Sequence, residues 1–241
     1  MGPGVRGSLP GKPLRLPGAA GWRLTTGPCP QDGLRSPYYR AFRAVGVSPL
    51  AELRQFNPFH VLSPGENAPE ECSAFIECPS RSKVKYELDK LSGVLIVSRI
   101  LHSSIHFPAN YGFVPQTYCR DHDPLDILVL SQEAVVPGCV MSARPIGLLE
   151  MVDQGFEDTK VIAVHRHDPI YAGYTDISQL PPHVLREMRH FFATYKELEE
   201  GEAPEVSGFR GRVDAEVAIR DAMRAYERFR GQLLDGVYPD F

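Results

Sequence analysis

The 241-residue chain is 43% apolar and 23% charged, the composition of a soluble globular protein with one domain-sized core and some length to spare. Its net charge of −4 divides unevenly: residues 1–60 hold eight Lys/Arg and two Asp/Glu, whereas residues 61–241 hold 18 basic and 28 acidic groups. No apolar run approaches the roughly 20 residues of a membrane span, and an acidic body with no basic cluster excludes nucleic acid and favours hydrated cations.

The first 60 residues contain nine Gly and nine Pro and no sustained apolar periodicity. Residues 1–55 therefore read as a basic, disordered extension ahead of a folded domain over 56–241. An Arg-rich, acid-poor tail hints at an organellar transit peptide, but serine is sparse, and an upstream start or an adaptor tail fits equally. Five cysteines, Cys29, Cys72, Cys78, Cys119 and Cys139, form no C-x-x-C pair. An odd, unpaired set points to a reducing compartment, with the cytoplasm as the default address and an organelle as the alternative.

Ala74 to Glu77 reads as the first strand, followed by a turn over Pro79 to Ser82. Lys83 to Leu88 alternates polar and apolar residues, which sets Lys83, Lys85 and Glu87 on one face against Val84, Tyr86 and Leu88 on the other. Asp89 to Gly93 reads as a hairpin turn into Val94–Val97. Further strands are expected at Ile127–Leu130, Val140–Leu149 and Val161–Val164. Strands this close, with no long helix between them, predict a mainly antiparallel barrel or sandwich. Helices come only at the end. Pro181-Pro182 opens one whose apolar stripe runs from Val184 through Met188, Phe191, Phe192 and Tyr195 to Leu198. A second covers about Asp214 to Leu234, with Val217, Ala218, Ala222, Ala225, Tyr226 and Phe229 at helical spacing.

The densest chemistry is Asp121-His122-Asp123-Pro124-Leu125-Asp126, just ahead of a strand. Three carboxylates in six residues repel one another unless a cation sits among them, and oxygen-only donors suit Mg²⁺ or Mn²⁺. An EF-hand loop does not fit, because Pro124, Asp126 and Gln132 fall at its fourth, sixth and twelfth positions. A solvated surface turn and a metal site both remain open on chemistry alone. A second acidic stretch, Asp153 to Lys160, is an ordinary polar loop unless Asp153 and Asp158 complete a two-metal clamp with the first. The histidines His102, His106, His122, His165 and His167 show no ligand spacing and read as structural or solvated.

Glu77, Lys85-x-Glu87, Arg99, Asn110-Tyr111-Gly112, Asp121-x-Asp123-Pro124-x-Asp126, Asp153 with Asp158-x-Lys160, and Tyr195-Lys196 together resemble the family I soluble inorganic pyrophosphatases, over about residues 73–235. The resemblance implies an α+β, mainly β fold: an OB-like five-stranded barrel with C-terminal helices packed outside. It implies hydrolysis of pyrophosphate to two orthophosphates by in-line attack of a metal-activated water, with several Mg²⁺ ions, or Mn²⁺ in their place, and no covalent intermediate. Asp121, Asp126, Asp153 and Asp158 would hold metal, with Glu77 contributing mainly through bound water. Asp123 would help to activate the attacking water, and Glu87 would orient the network. Lys85, Arg99, Tyr111, Lys160, Tyr195 and Lys196 would bind phosphate oxygens. A homo-oligomer is implied as well.

Charge counting is consistent with this. Seven carboxylates against Lys85, Arg99, Lys160 and Lys196 leave −3, and pyrophosphate at about −4 brings the site to roughly −7, balanced by about three or four divalent ions. Two departures stand out: Phe107 occupies a position where many members carry Tyr, and Glu202 one where bacterial members often carry Lys. The competing readings are a broader metal-dependent phosphoesterase, which would need an aromatic platform for a base, and a non-catalytic OB-type module, which would have lost these acids.

Overall fold

The computed structural model describes residues 57–199 and 203–240. The expectations for the 1–55 extension and for Glu202 fall outside the described residues. Among the described residues nine strands are present: β1 (Cys72–Cys78), β2 (Val84–Leu88), β3 (Leu95–Ile100), β4 (Asn110–Phe113), β5 (Asp126–Leu130), β6 (Val140–Asp153), β7 (Phe156–Glu157), β8 (Lys160–His165) and β9 (Glu205–Gly211). Three α-helices accompany them: α1 (Pro58–Val61), α2 (Pro182–Thr194) and α3 (Arg212–Leu234). None of the helices among the described residues is long and apolar enough to cross a membrane.

Five strands close on themselves in the order β1-β4-β5-β8-β6 and back to β1, which is the expected five-stranded barrel. All its pairings are antiparallel except β5 with β8, which run parallel. The 14-residue β6 makes the closure possible. Its first residues pair with β1, its middle with β8 and its last part with β9 and β7, and the ladder shifts register between Pro145 and Gly147. A long strand that changes partners along its length needs such an irregularity to turn the corner.

The barrel strands are apolar on both faces because both faces are covered. Ile127 and Val129 of β5, with Val161 and Ala163 of β8, pack with Ala215, Ile219 and Ala222 of α3. Their alternating neighbours Leu128, Leu130, Ile162 and Val164 pack with Met188, Phe191 and Phe192 of α2. Gly112 shows how close the backbones come: a Cβ there would lie 1.8 Å from the Phe75 carbonyl oxygen across the β1–β4 ladder. Gly112→Ala should therefore cost at least about 1–3 kcal/mol as the strands are forced apart. Calorimetry of the variant tests this; an unshifted melting temperature would contradict it.

Several local expectations need correction. Ahead of β1 stands a short helix, α1, that the sequence pattern does not announce: Asn57 caps it, accepting from the Phe59 amide at 3.0 Å, and Phe59 is buried against Phe113 and Tyr226. Helix α2 does not reach Leu198. It ends at Thr194, whose hydroxyl donates back to the His190 carbonyl at 2.7 Å, and Leu198 is left 64% exposed. On α3 the buried face runs through Ala215, Ile219, Ala222, Tyr226 and Leu233, and Val217 points to solvent. Strands β4, β7 and β9 were not anticipated. The β2–β3 hairpin stands outside the barrel as its own two-stranded sheet.

Candidate active site

A cavity of about 590 Å³ gathers every residue to which the resemblance gives a role: the metal candidates, Asp123, Glu87 and all the phosphate-binding candidates. The β2–β3 hairpin forms one wall. Lys85 and Arg99 face each other across the ladder, with an extra residue, Ser98, bulged out beside them. Alternation brings Glu87 to the same face as Lys85, and their charges meet at 2.7 Å. Burial works against both charges, but each partner offsets it: the Lys85 pKa lies above the ordinary lysine value and that of Glu87 below the ordinary carboxylate value.

The barrel supplies the floor. Parallel pairing sets Asp126, the first residue of β5, beside Lys160, the first of β8. The Lys160 side chain is only 3% exposed, and its ammonium reaches Asp126 Oδ2 at 2.5 Å and Asp158 Oδ1 at 2.6 Å. Burial alone would lower the Lys160 pKa; the flanking carboxylates raise it well beyond that of a free lysine. The Tyr111 hydroxyl donates to Asp126 Oδ2, and burial together with the Asp126 and Asp158 charges keeps that phenol protonated far above its usual range. Glu77 on β1 accepts the Leu88 amide at 2.6 Å, yet burial still pushes its carboxyl up to about 8.

The remaining acids come from loops. Asp121 and Asp123 sit on the turn before β5, where His122 adopts φ 65° and the Asp123 amide donates to Asp121 Oδ1 at 3.2 Å. Burial first, then the Asp126 and Asp123 charges, raise Asp121 to about 7. Asp153 closes β6, held in place by a two-residue turn in which Gln154 and Gly155 both take positive φ, as a tight hairpin demands. Its Oδ2 is paired with Lys196, just beyond α2, while its buried Oδ1 has no hydrogen-bond partner. Tyr195 stacks on Phe191 and lies under the Arg99 guanidinium, 5.8 Å from the ring centre.

Among the described residues no three acidic, His or Cys side chains form a ready-made metal cage. Lysines instead occupy the gaps between the acids. Mg²⁺ commonly takes only one or two carboxylates and keeps several waters, so an oxygen-only donor set spread around one cavity suits it. The orphaned Asp153 oxygen, and the upward shifts that burial first and neighbouring carboxylates second impose on Asp121 and Glu77, mark a site that added positive charge would stabilise.

Lys90 was missed from the sequence. It lies in the hairpin turn, lines the cavity and pairs with Asp123. Nothing in Asp89-Lys90-Leu91-Ser92-Gly93 distinguishes it from any solvated turn. Glu199, which approaches Arg99 Nε at 3.3 Å, carried no signal either. Phe107 is buried against Tyr111 and Phe191, so its ring serves packing. The His122 ring turns away from the cavity toward Tyr118 and Asp240.

A family model described as inorganic pyrophosphatase matches residues 74–227. Soluble inorganic pyrophosphatase 2 of Chlamydomonas reinhardtii is 52% identical over 183 residues, which cover 76% of this chain and 95% of that protein. Soluble inorganic pyrophosphatase PPA1 of Solanum tuberosum is 50% identical over 173 residues, 72% of this chain and 82% of its own. Among solved structures, the inorganic pyrophosphatase from Thermus thermophilus aligns with a TM-score of 0.69 at 39% identity, covering 71% of this chain and 99% of its own.

Proposed function

Since this chain belongs to the inorganic pyrophosphatase family, we propose that it hydrolyses pyrophosphate in the acidic cavity between the β2–β3 hairpin and the barrel, with Asp123 taking the proton of the attacking water. The observation that carries this reading is the meeting of seven carboxylates with Lys85, Arg99, Lys160 and Lys196 around one small cavity. Charges of both signs at that density suit a small, highly charged anion accompanied by cations.

Mg²⁺ ions, held by Asp121, Asp126, Asp153 and Asp158 with Glu77 reached through water, would lower the pKa of water and screen the phosphate charge. The protein's own residues do the rest. Lys85 and Arg99, side by side on the hairpin, receive one phosphate, and Glu87 fixes the lysine's direction. Lys160 and Lys196, held beside Asp158 and Asp153, would turn their ammonium groups to phosphate oxygens. The Tyr195 hydroxyl donates to a phosphate oxygen as a neutral phenol, and Tyr111 does so by turning its one O–H from Asp126 to phosphate; burial raises the pKa of each. Asp123, at the rim, accepts the proton.

The lining favours a small anion over a nucleotide. Tyr111, Tyr195, Phe59 and Phe113 are buried as walls, which leaves Phe156, 52% exposed, as the aromatic ring at the rim. The four cysteines among the described residues are free, which supports a reducing compartment such as the cytoplasm. Phosphate release from pyrophosphate should require Mg²⁺, stop with a chelator, and exceed release from ATP under the same conditions by about 10²-fold or more. Equal rates on ATP would favour the broader phosphoesterase.

A further inference from the structure

We propose that Lys90 is a positioning residue for the reaction, fixing the Asp123 carboxylate so that one of its oxygens faces the attacking water. This rests on the reading of Asp123 as proton acceptor. Asp123 needs such a support: it lies on a turn with a left-handed residue at His122, and its side chain is 55% exposed. An exposed aspartate on a turn samples several rotamers, and a proton acceptor displaced by about 1 Å can lose as much as about 10²-fold in rate.

Lys90 is built to give that support. Its ammonium donates to Asp123 Oδ1 and also to the His122 carbonyl at 2.8 Å, so it grips the turn by side chain and backbone together. The same ammonium lies 4.7 Å from the centre of the Tyr238 ring, in the C-terminal segment. Its backbone is pinned as well. The Lys90 carbonyl accepts Asn57 Nδ2 at 2.6 Å, and the turn around it is closed by Gly93 N to Asp89 O at 2.7 Å and Ser92 Oγ to Asp89 Oδ2 at 2.6 Å. The C-terminal segment braces the far side of the acidic turn, where Tyr118 donates to the Pro239 carbonyl at 2.8 Å. With Oδ1 committed to Lys90, Oδ2 is left for the water.

A half-exposed ion pair of this kind contributes little to stability, so a positioning role and a structural role separate cleanly. Lys90→Met should lower kcat about tenfold, leave KM within about twofold, and leave the melting temperature nearly unchanged. Lys90→Arg, which restores a donor, should recover kcat to within about threefold of the parent. In an Asp123→Asn background, Lys90→Met should add less than about a twofold further loss, because the two act as one unit. Unchanged kcat in Lys90→Met overturns the proposal. So does a rise in KM alone, which would make Lys90 a substrate contact, and so do fully additive losses. If Asp123→Asn is itself fully active, the acceptor reading fails and the positioning proposal falls with it. That outcome is distinguishable from an inactive Asp123→Asn beside a fully active Lys90→Met, which sinks the Lys90 proposal alone.

Discussion

Asp123→Asn should reduce phosphate release from pyrophosphate by about 10²–10⁴-fold while the protein stays folded. The substitution keeps size and shape, and the amide oxygen can still accept from Lys90, so the turn Asp121–Asp126 loses little that holds it. What it removes is the ability to take a proton. The side chain is more than half exposed and stands apart from the buried Asp126–Lys160–Asp158 group, so little electrostatic stability goes with it. Initial rates at saturating Mg²⁺, together with a melting curve, separate lost chemistry from lost fold. A rate within threefold of the parent would transfer the acceptor role to another group.

The candidate site was legible in the sequence to the extent that its chemistry is dense or ordered. Asp121, Asp123 and Asp126 declare themselves because three acids in six residues are costly without cations. Asp153 and Asp158 do not: they become partners of that cluster only because β8 lies between β5 and β6 in the barrel, which no local pattern states. Their assignment came through the family resemblance. Lys90 was invisible because its role arises between a hairpin turn and a loop 33 residues away.

The fold divides along the same line. Strands β5 and β8, short continuous apolar runs, were readable because both of their faces are buried. Strand β9, Glu-Val-Ser-Gly-Phe-Arg-Gly, carries two glycines and only partial burial; it is a strand because β6 extends far enough to pair with it. On α2 the apolar spacing continues past Thr194 to Leu198, but the chain turns there to bring Lys196 to Asp153. The helix ends where the site needs it to, and periodicity cannot see that.

Lys160→Met should be the most destabilising change at the site, at about 3–5 kcal/mol in the metal-free protein at pH 8. Methionine preserves most of the packing of the stem near Tyr111 and Phe192 but leaves two largely buried carboxylates, Asp126 and Asp158, facing each other without a cation. The sign follows from the direction of the Lys160 shift. Its folded pKa is raised above the unfolded value of about 10.4, so its contribution is fully present throughout pH 5–9 and would be lost only on passing the folded pKa at far higher pH. Within that window the deficit of the variant changes with pH for a different reason. Burial already holds the Asp126 carboxyl above the ordinary range with Lys160 present, and without Lys160 it keeps its proton more tightly still, so the destabilisation grows as pH rises from about 4 and is smaller at pH 5 than at pH 8. Divalent cations supply the charge that the substitution removed, so Mg²⁺ should narrow the gap between variant and parent. Urea denaturation at pH 5 and pH 8, with and without Mg²⁺, reads all three effects. A variant as stable as its parent at pH 8 without metal would mean that these carboxylates do not need a cation between them, and a variant that Mg²⁺ fails to stabilise would mean that they do not hold one.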